Sequence, residues 1–305
     1  MIQRTLLLFL LASQNSQTTF DFHSSFWVNL HHTLYNQAFV QRVGRAPDLS
    51  VLNPTEVAAW NEVVAYYGES VINHDFLESD MGRINAALAR AGNAPSLGTP
   101  HEIPKDLAAI LEKVAPIYRA HWWPDHDRKN REWIAAATPL VAKHEAVLKP
   151  ALARAFDTPW EKRPIHVEMR YYVTNASAYT AIFPTLITVS SSSPRTVGPA
   201  MVEVLFHESS HALIVKARDE LSKETRNRKT ELPYPDFWHA LLFYTNSEIV
   251  KKQLPELEPY ANKYGMWQNN WPLALPVFEK DWRPFLVGKG NFREALKQIV
   301  ADSAK

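Results

Sequence analysis

The segment from Met201 to Val215 reads MVEVLFHESSHALIV, and it decides how the rest of the chain is interpreted. Its apolar residues favour a helix, and Gly198-Pro199 just before it suits a helix start. Residues four apart lie one above the other on a helix, so His207 and His211 can direct their imidazole nitrogens at one cation. Glu208 faces the adjoining edge, from which its carboxylate can reach a water on that cation without binding the cation itself.

The composition limits what kind of site this helix can carry. The chain has 305 residues, with twelve His and no Cys. Disulfides, thiolate zinc sites, iron–sulfur clusters and a cysteine nucleophile are therefore excluded, and a transition-metal site has to be built from His and carboxylates. The formal net charge of +1 argues against a nucleic-acid-binding surface. With 46% hydrophobic residues, the chain can bury a large globular core.

Two β-favouring segments precede the helix. Residues Ile165 to Met169 alternate as a strand does, and Leu186 to Val189 are apolar or β-branched between polar turns. The segment Thr174 to Tyr179 lies between them. We therefore expect an α+β fold that is predominantly helical, with a small sheet and an edge strand beside the helix that carries the two histidines.

This arrangement, over about residues 165 to 250, resembles the zincin superfamily of zinc metallopeptidases, in which an edge strand precedes a His-Glu-x-x-His helix. Many zincins carry an Asn-Ala-x-aromatic or Asn-Ala-x-Ala sequence on that strand, and Asn175-Ala176-Ser177-Ala178 is similar. The resemblance implies that Asn175 and Ala176 hold the backbone of a bound peptide by strand addition.

A catalytic zinc takes three protein ligands and keeps one position open, so a third ligand is expected from a following helix. His239 and Glu248 are the candidates, and nine residues separate them. On one continuous helix they face nearly opposite ways, so only one of them can contact the metal. We favour His239, which lies among large apolar residues; Glu248 would then orient a ligand histidine. In the alternative, Glu248 completes a site of the gluzincin type and His239 stabilises the oxyanion.

The predicted activity is the hydrolysis of peptide bonds. A Zn²⁺ cofactor on His207, His211 and His239 would activate a water, with Glu208 as general base. Tyr244 is a candidate oxyanion stabiliser. The predicted partner is a peptide or protein substrate. The alternatives are a metal hydrolase with another substrate, an inactive zincin that binds protein or glycan, and a helical binding protein with a Trp-lined groove.

The chain divides by pattern into four parts. Residues 1–16 resemble a signal peptide, with Arg4 before a short apolar run, which predicts a secreted or periplasmic protein without a transmembrane segment in its mature chain. Residues 17–160 are helical in pattern, 161–250 form the zincin-like region, and 251–305 are helical, the three packing as one unit.

A second group of histidines lies near the amino terminus. His23, His31 and His32 fall loosely on one helical face. We interpret them as a structural cluster or as the lining of a cleft, in preference to a second metal site, because no acidic partner was identified for them.

Overall fold

A four-stranded mixed sheet with helices around it forms the framework of the fold. The computed structural model describes residues 19–42, 49–74, 79–98, 100–172, 176–182 and 185–303. The strands are β1 (Phe20–His23), β2 (Ile165–Arg170), β3 (Ala178–Ile182) and β4 (Thr185–Ser190), in the spatial order β1-β2-β4-β3. β1 and β4 run parallel to β2, whereas β3 pairs antiparallel with β4 and forms an edge of the sheet.

Helices make up most of the rest, which confirms the expected α+β fold with a predominance of helix. The first half of the chain contains α1 (Phe26–Arg42), α2 (Pro54–Ser70), α3 (Ser79–Ala91), α4 (Lys105–His121) and α5 (Trp123–Ala155). The sheet is followed by α6 (Ala200–Ser210), α7 (Val215–Arg228), α8 (Phe237–Gln253), α9 (Tyr260–Lys263), α10 (Met266–Asn269), α11 (Ala274–Val277), a π-helical turn (Phe278–Trp282), α12 (Arg283–Leu286) and α13 (Phe292–Ser303).

The local sequence explains where several of these elements begin. The side chain of Asn53 accepts a hydrogen bond from the backbone N–H of Glu56, and the Glu56 carboxylate accepts one from the N–H of Asn53. This capping box, with Pro54 in the first turn, fixes the start of α2. Pro124 similarly occupies the first turn of α5, where its missing N–H costs no helical hydrogen bond.

Strand β1 was not predicted, because its residues lie in the region that the pattern marks as helical. It pairs residue by residue with β2, from Phe20 opposite Ile165 to His23 opposite Glu168. Phe20 is buried, whereas Asp21 is exposed. Four residues are too few for an alternating pattern to stand out in the sequence, so the pairing with β2 decides this conformation.

The buried apolar side chains form two clusters. One contains residues of α1 to α4, together with Tyr179 of β3. The other joins the remaining sheet residues to α5, α6, α8 and the carboxyl-terminal helices. Helix α5 contributes Trp133, Val141 and Leu148 to this second cluster. Helix α5 therefore packs with the sheet and with the helices that follow it.

Within the described ranges, no helix combines the length and the apolar character that a bilayer crossing requires. The predicted signal peptide, residues 1–16, lies outside the described residues.

Candidate metal centre

Helix α6 carries the His-Glu-x-x-His sequence, but it ends at Ser210 and does not continue to Val215 as predicted. The hydroxyls of Ser209 and Ser210 donate to the carbonyl oxygens four residues earlier, at 2.6 and 2.7 Å. Such bonds bend helices, and the backbone tightens after them, with the N–H of His211 bonding to the carbonyl of Glu208 at 3.3 Å. His211 keeps right-handed helical dihedral angles, so it stays on the same face as His207.

His239, in the first turn of α8, lies beside these two histidines. Its Nε2 is 3.4 Å from Nε2 of His207. One ring nitrogen from each of the three lies within 4.8 Å of the other two. The ring centroids are 5.2 Å apart for His207 and His211, 5.4 Å for His207 and His239, and 5.1 Å for His211 and His239. The three rings therefore surround one point almost symmetrically.

The surroundings keep the three imidazoles neutral. Burial lowers the pKa of His211 to about 3 and that of His239 to about 4, and it lowers the pKa of His207 as well. The ring of Phe243 covers His207 at a centroid distance of 4.0 Å, and Trp238 stands beside His211. Neutral imidazoles have a free lone pair, which is the form that binds metal.

The spacing of the nitrogens fits zinc. Two imidazole nitrogens bound to a tetrahedral zinc at about 2.0 to 2.1 Å lie about 3.3 to 3.4 Å apart. The separation of Nε2 in His207 from Nε2 in His239 is 3.4 Å. Three histidines facing a cavity also leave room for a fourth ligand, as in catalytic zinc sites. The three histidines could therefore hold a metal ion, and the one close nitrogen pair has the spacing that zinc requires.

Two other predicted residues lie elsewhere. The carboxylate of Glu248 faces Arg283, with 3.9 Å between Oε2 and the guanidinium Nε, so the alternative in which Glu248 is the third ligand does not fit, nor does its role in orienting a ligand histidine. The hydroxyl of Tyr244 donates to the carboxylate of Glu279 at 2.9 Å and is therefore engaged away from the histidines. Helical periodicity is the physical reason, because both side chains leave α8 on a face other than that of His239.

Glu208 lies beside the three histidines and is held from the neighbouring strand. The hydroxyl of Thr180 on β3 lies 2.7 Å from Oε2 of Glu208 and 3.0 Å from its carbonyl oxygen, and donates to these acceptors. Burial raises the pKa of Glu208 to about 7, while the hydrogen bond from Thr180 and the charge of Arg170 oppose the rise. Oε2 of Glu208 is 3.8 Å from Nε2 of His211. A carboxylate with this pKa can accept and release a proton near neutral pH.

A buried polar network lies behind Glu208. The guanidinium of Arg170 stacks over the ring of Tyr179, 4.8 Å from its centroid. The Tyr179 hydroxyl bonds with Nε2 of His32 at 2.8 Å and accepts from the amide of Asn85 at 3.1 Å. His31 bonds through Nδ1 with the hydroxyl of Tyr67 at 2.7 Å. His31 and His32 are therefore buried and hydrogen-bonded, His31 to α2 and His32 to β3, and they do not reach the three histidines of the metal centre.

The histidines and Glu208 open into a cavity of about 420 Å³. Residues Ala176 to Thr180, including the start of β3, form one wall, so the predicted edge strand runs along the site. Ala176 is exposed on this wall, and Asn175 lies outside the described residues. The lining also includes Phe243, Tyr260 and Tyr264.

His23 does not join His31 and His32. It lies on β1, where its Nε2 is 2.9 Å from a carboxylate oxygen of Asp21, and its ring stacks on that of His166 at 4.1 Å with an interplanar angle of 5°. Ligand atoms of these three residues lie within 4.8 Å of one another. The lone pair of an imidazole lies in the ring plane, so two parallel stacked rings cannot both point at one ion. In this arrangement the group is not a formed metal site.

Several residues around the site were not identified from the sequence. Thr180, Arg170 and Tyr260 reach it from β3, β2 and α9, and no motif or spacing links these positions to the histidines. Comparison with known proteins gives no matching family model, no similar curated protein and no similar solved structure. The functional interpretation therefore depends on the chemistry and geometry of this chain.

Proposed function

We propose that the protein is a zinc-dependent metallopeptidase that acts after export to the periplasm or the cell exterior. The observation that supports it best is the convergence of His207, His211 and His239 at zinc-ligand spacing, with the carboxylate of Glu208 beside them. A His₃ site with an adjacent general base is a recurring arrangement for metal-assisted hydrolysis. Export is proposed from the signal-like pattern of residues 1–16.

The roles of the chain's own residues follow from their positions. His207, His211 and His239 would hold the metal. When bound, zinc supplies a Lewis acid that lowers the pKa of water and polarises a carbonyl group. Glu208 would accept the proton of the attacking water and deliver it to the leaving amine, which its raised pKa of about 7 suits. Thr180 would keep that carboxylate in place.

The substrate class is proposed from the cavity wall. An edge strand exposes unpaired backbone groups, and β3 is an edge strand that borders the cavity. An extended peptide can add to such an edge by main-chain hydrogen bonds. By the zincin resemblance, Asn175 and Ala176 would make part of this contact.

The first test separates metal binding from catalysis. The purified protein should contain about one zinc per chain by elemental analysis. Glu208→Gln should retain this zinc and lose the cleavage of a peptide library read by mass spectrometry, because the amide cannot accept a proton. A Glu208→Gln variant that still cleaves at the wild-type rate would exclude the proposed mechanism, and a zinc-loaded wild-type protein that cleaves no peptide would favour another substrate class.

The second test concerns the ligands. His239→Ala should lower zinc affinity by more than about 100-fold, since it removes a direct ligand, whereas loss of an outer-shell partner costs about 10- to 100-fold. Glu248→Gln, the matched control on the same helix, should leave the affinity unchanged. Competition with a chelator gives both values. Undiminished zinc binding by a protein with His207, His211 and His239 all replaced by Ala would rule out the site.

A further inference from the structure

The loop between β4 and α6 presents a cationic side chain to the cavity. The loop is pinned at two points: Ser193 and Ser177 share a hydrogen bond between hydroxyls at 2.8 Å, and the indole N–H of Trp133 donates to the carbonyl of Thr196 at 2.6 Å. Thr196 is fully buried. Arg195 lies between these anchors and lines the same cavity as the three histidines. Its backbone is therefore fixed relative to the site.

The guanidinium of Arg195 is oriented by two aromatic residues. Its Nη1 donates to the hydroxyl of Tyr260 at 3.0 Å, and its Cζ lies 4.4 Å from the ring centroid of Tyr264. Arg195 is an exposed residue, and these contacts orient its planar group while using one of its five donors within the described part of the chain. No carboxylate among the described residues makes an ion pair with it.

Glu203, an acidic residue of the same cavity lining, already has hydrogen-bond partners of its own. The carboxylate of Glu203 accepts the backbone N–H of Tyr260, 3.0 Å from each of its oxygens, and the hydroxyl of Ser247 at 3.0 Å. The pKa of Glu203 is raised by burial, which disfavours its charge. The positive charge of Arg195 is therefore left without an internal counterion on this wall.

We propose that Arg195 binds a carboxylate of the substrate, so that the site selects peptides that present a carboxylate to it. This inference rests on the proposed peptidase function and specifies its substrate. An oriented guanidinium forms paired hydrogen bonds with a carboxylate, which neutral side chains cannot replace. Phe243 and Met266, on the same cavity lining, would contact apolar parts of the peptide. The carboxylate comes either from an Asp or Glu side chain or from the free carboxyl terminus.

The test measures binding, so that it does not depend on turnover. Zinc-loaded Glu208→Gln protein is immobilised and incubated with a degenerate decapeptide library, and the retained peptides are sequenced by mass spectrometry. The same binding experiment is done with two double variants, in which Arg195→Gln or Arg195→Lys is combined with Glu208→Gln. Arg163→Gln is the matched control, because Arg163 is an exposed arginine with a side chain 90% accessible that does not line the cavity.

We expect peptides with an Asp, Glu or free terminal carboxylate to be retained on the parent protein in preference to their Asn, Gln or amidated counterparts. Arg195→Gln should lower their affinity about fivefold or more relative to their amide counterparts, and Arg195→Lys should fall between, since lysine keeps the charge without the paired donors. Arg163→Gln should bind as the parent does. Absence of enrichment, or enrichment that survives Arg195→Gln, overturns the inference.

Two further comparisons identify which carboxylate of the peptide is recognised and separate this inference from the proposed peptidase function. Peptides with amidated carboxyl termini lose their enrichment if the terminal carboxylate is recognised, and keep it if the Asp or Glu side chains are. Cleavage by the wild-type protein without an Arg195-dependent preference overturns this inference alone. Arg195-dependent binding by a wild-type protein that cleaves nothing overturns the peptidase function and leaves the carboxylate site.

Discussion

Thr180 shows how one side chain on a strand can set the chemistry of a residue on a helix. Its hydroxyl lies 2.7 Å from Oε2 of Glu208, and the two residues come from β3 and α6, 28 positions apart. A buried carboxylate needs hydrogen-bond donors, and each donor also limits the directions that the group can adopt. The hydrogen bond from Thr180 therefore has two effects on Glu208: it stabilises the charged carboxylate, and it fixes the orientation of that group.

We predict that Thr180→Val lowers kcat about tenfold or more while leaving zinc content unchanged. Valine has the same shape but cannot donate, and a hydrogen bond to a charged group contributes about 1.5–3 kcal/mol, whereas about 1.4 kcal/mol corresponds to tenfold in rate. Peptide-cleavage kinetics give kcat and KM separately. Thr180→Ser should restore most of kcat because it restores the donor; equal loss in both variants would mean that Thr180 acts only through packing.

Single residues differ in how far the sequence predicts them. His207, Glu208 and His211 follow from helical spacing within five positions, so local geometry is enough. His239 was the favoured third ligand because of its apolar surroundings, and the structure brings it to the other two. Arg195 and Thr180 could not be predicted, because their places near the site depend on the packing of β3, β4 and α6 and not on any short-range pattern.

Secondary-structure elements were predictable from the sequence where it shows a periodic apolar pattern or residues typical of a helix start. The alternation of Ile165 to Met169 matches β2, and the Gly198-Pro199 pair precedes the start of α6 at Ala200. The end of α6 at Ser210 was missed, because the hydroxyl bonds of Ser209 and Ser210 that bend it compete with an otherwise helical sequence. Strand β1 was missed because its partner, β2, lies more than 140 residues later.

Helix α1 packs against α2 through a buried histidine, His31, which predicts sensitivity to acid. Burial, and then the charge of Arg170, lowers the pKa of His31 from 6.5 to about 3. Tyr67 on α2 and His32 on α1 also face it. The unfolded chain therefore binds a proton that the folded chain does not, so stability falls as the pH drops below about 6.5, by about 1.4 kcal/mol per pH unit for this residue.

His31→Gln should reduce that slope. Urea unfolding between pH 6 and pH 4 gives the free energy of unfolding at each pH, and the variant should lose less of it on acidification than the wild type, whatever its stability at pH 7. His101→Gln is the control, because the His101 side chain is 91% exposed, and its slope should match the wild type. An unchanged slope in His31→Gln would show that His31 is protonated in the folded protein.

At the scale of the molecule, the site lies where the two cores meet. Tyr179 of β3 packs in the amino-terminal helical cluster, whereas α6 and α8 belong to the other cluster. The buried bonds of Tyr179 with His32 and Asn85 hold the amino-terminal helices against β3. The cavity wall is therefore supported from both sides, which explains why a chain with no disulfide can present a strand and a helix terminus in a fixed relation.

A bound metal should then stabilise the folded state, because its ligands come from two different helices. His207 and His211 come from the end of α6 and His239 from the start of α8, with α7 between them in the chain. A ligand that binds only the folded state stabilises it by about 2.7 kcal/mol when present at 100 times its Kd.

We predict that saturating zinc raises the urea midpoint of the wild-type protein relative to chelated protein, with an unchanged slope, because the folded chain alone holds the three nitrogens together. Glu208→Gln should keep this zinc-dependent shift, whereas His207→Ala should lose it even if its metal-free stability is lower. A shift of wild-type size in His207→Ala would mean that zinc stabilises the fold from another site.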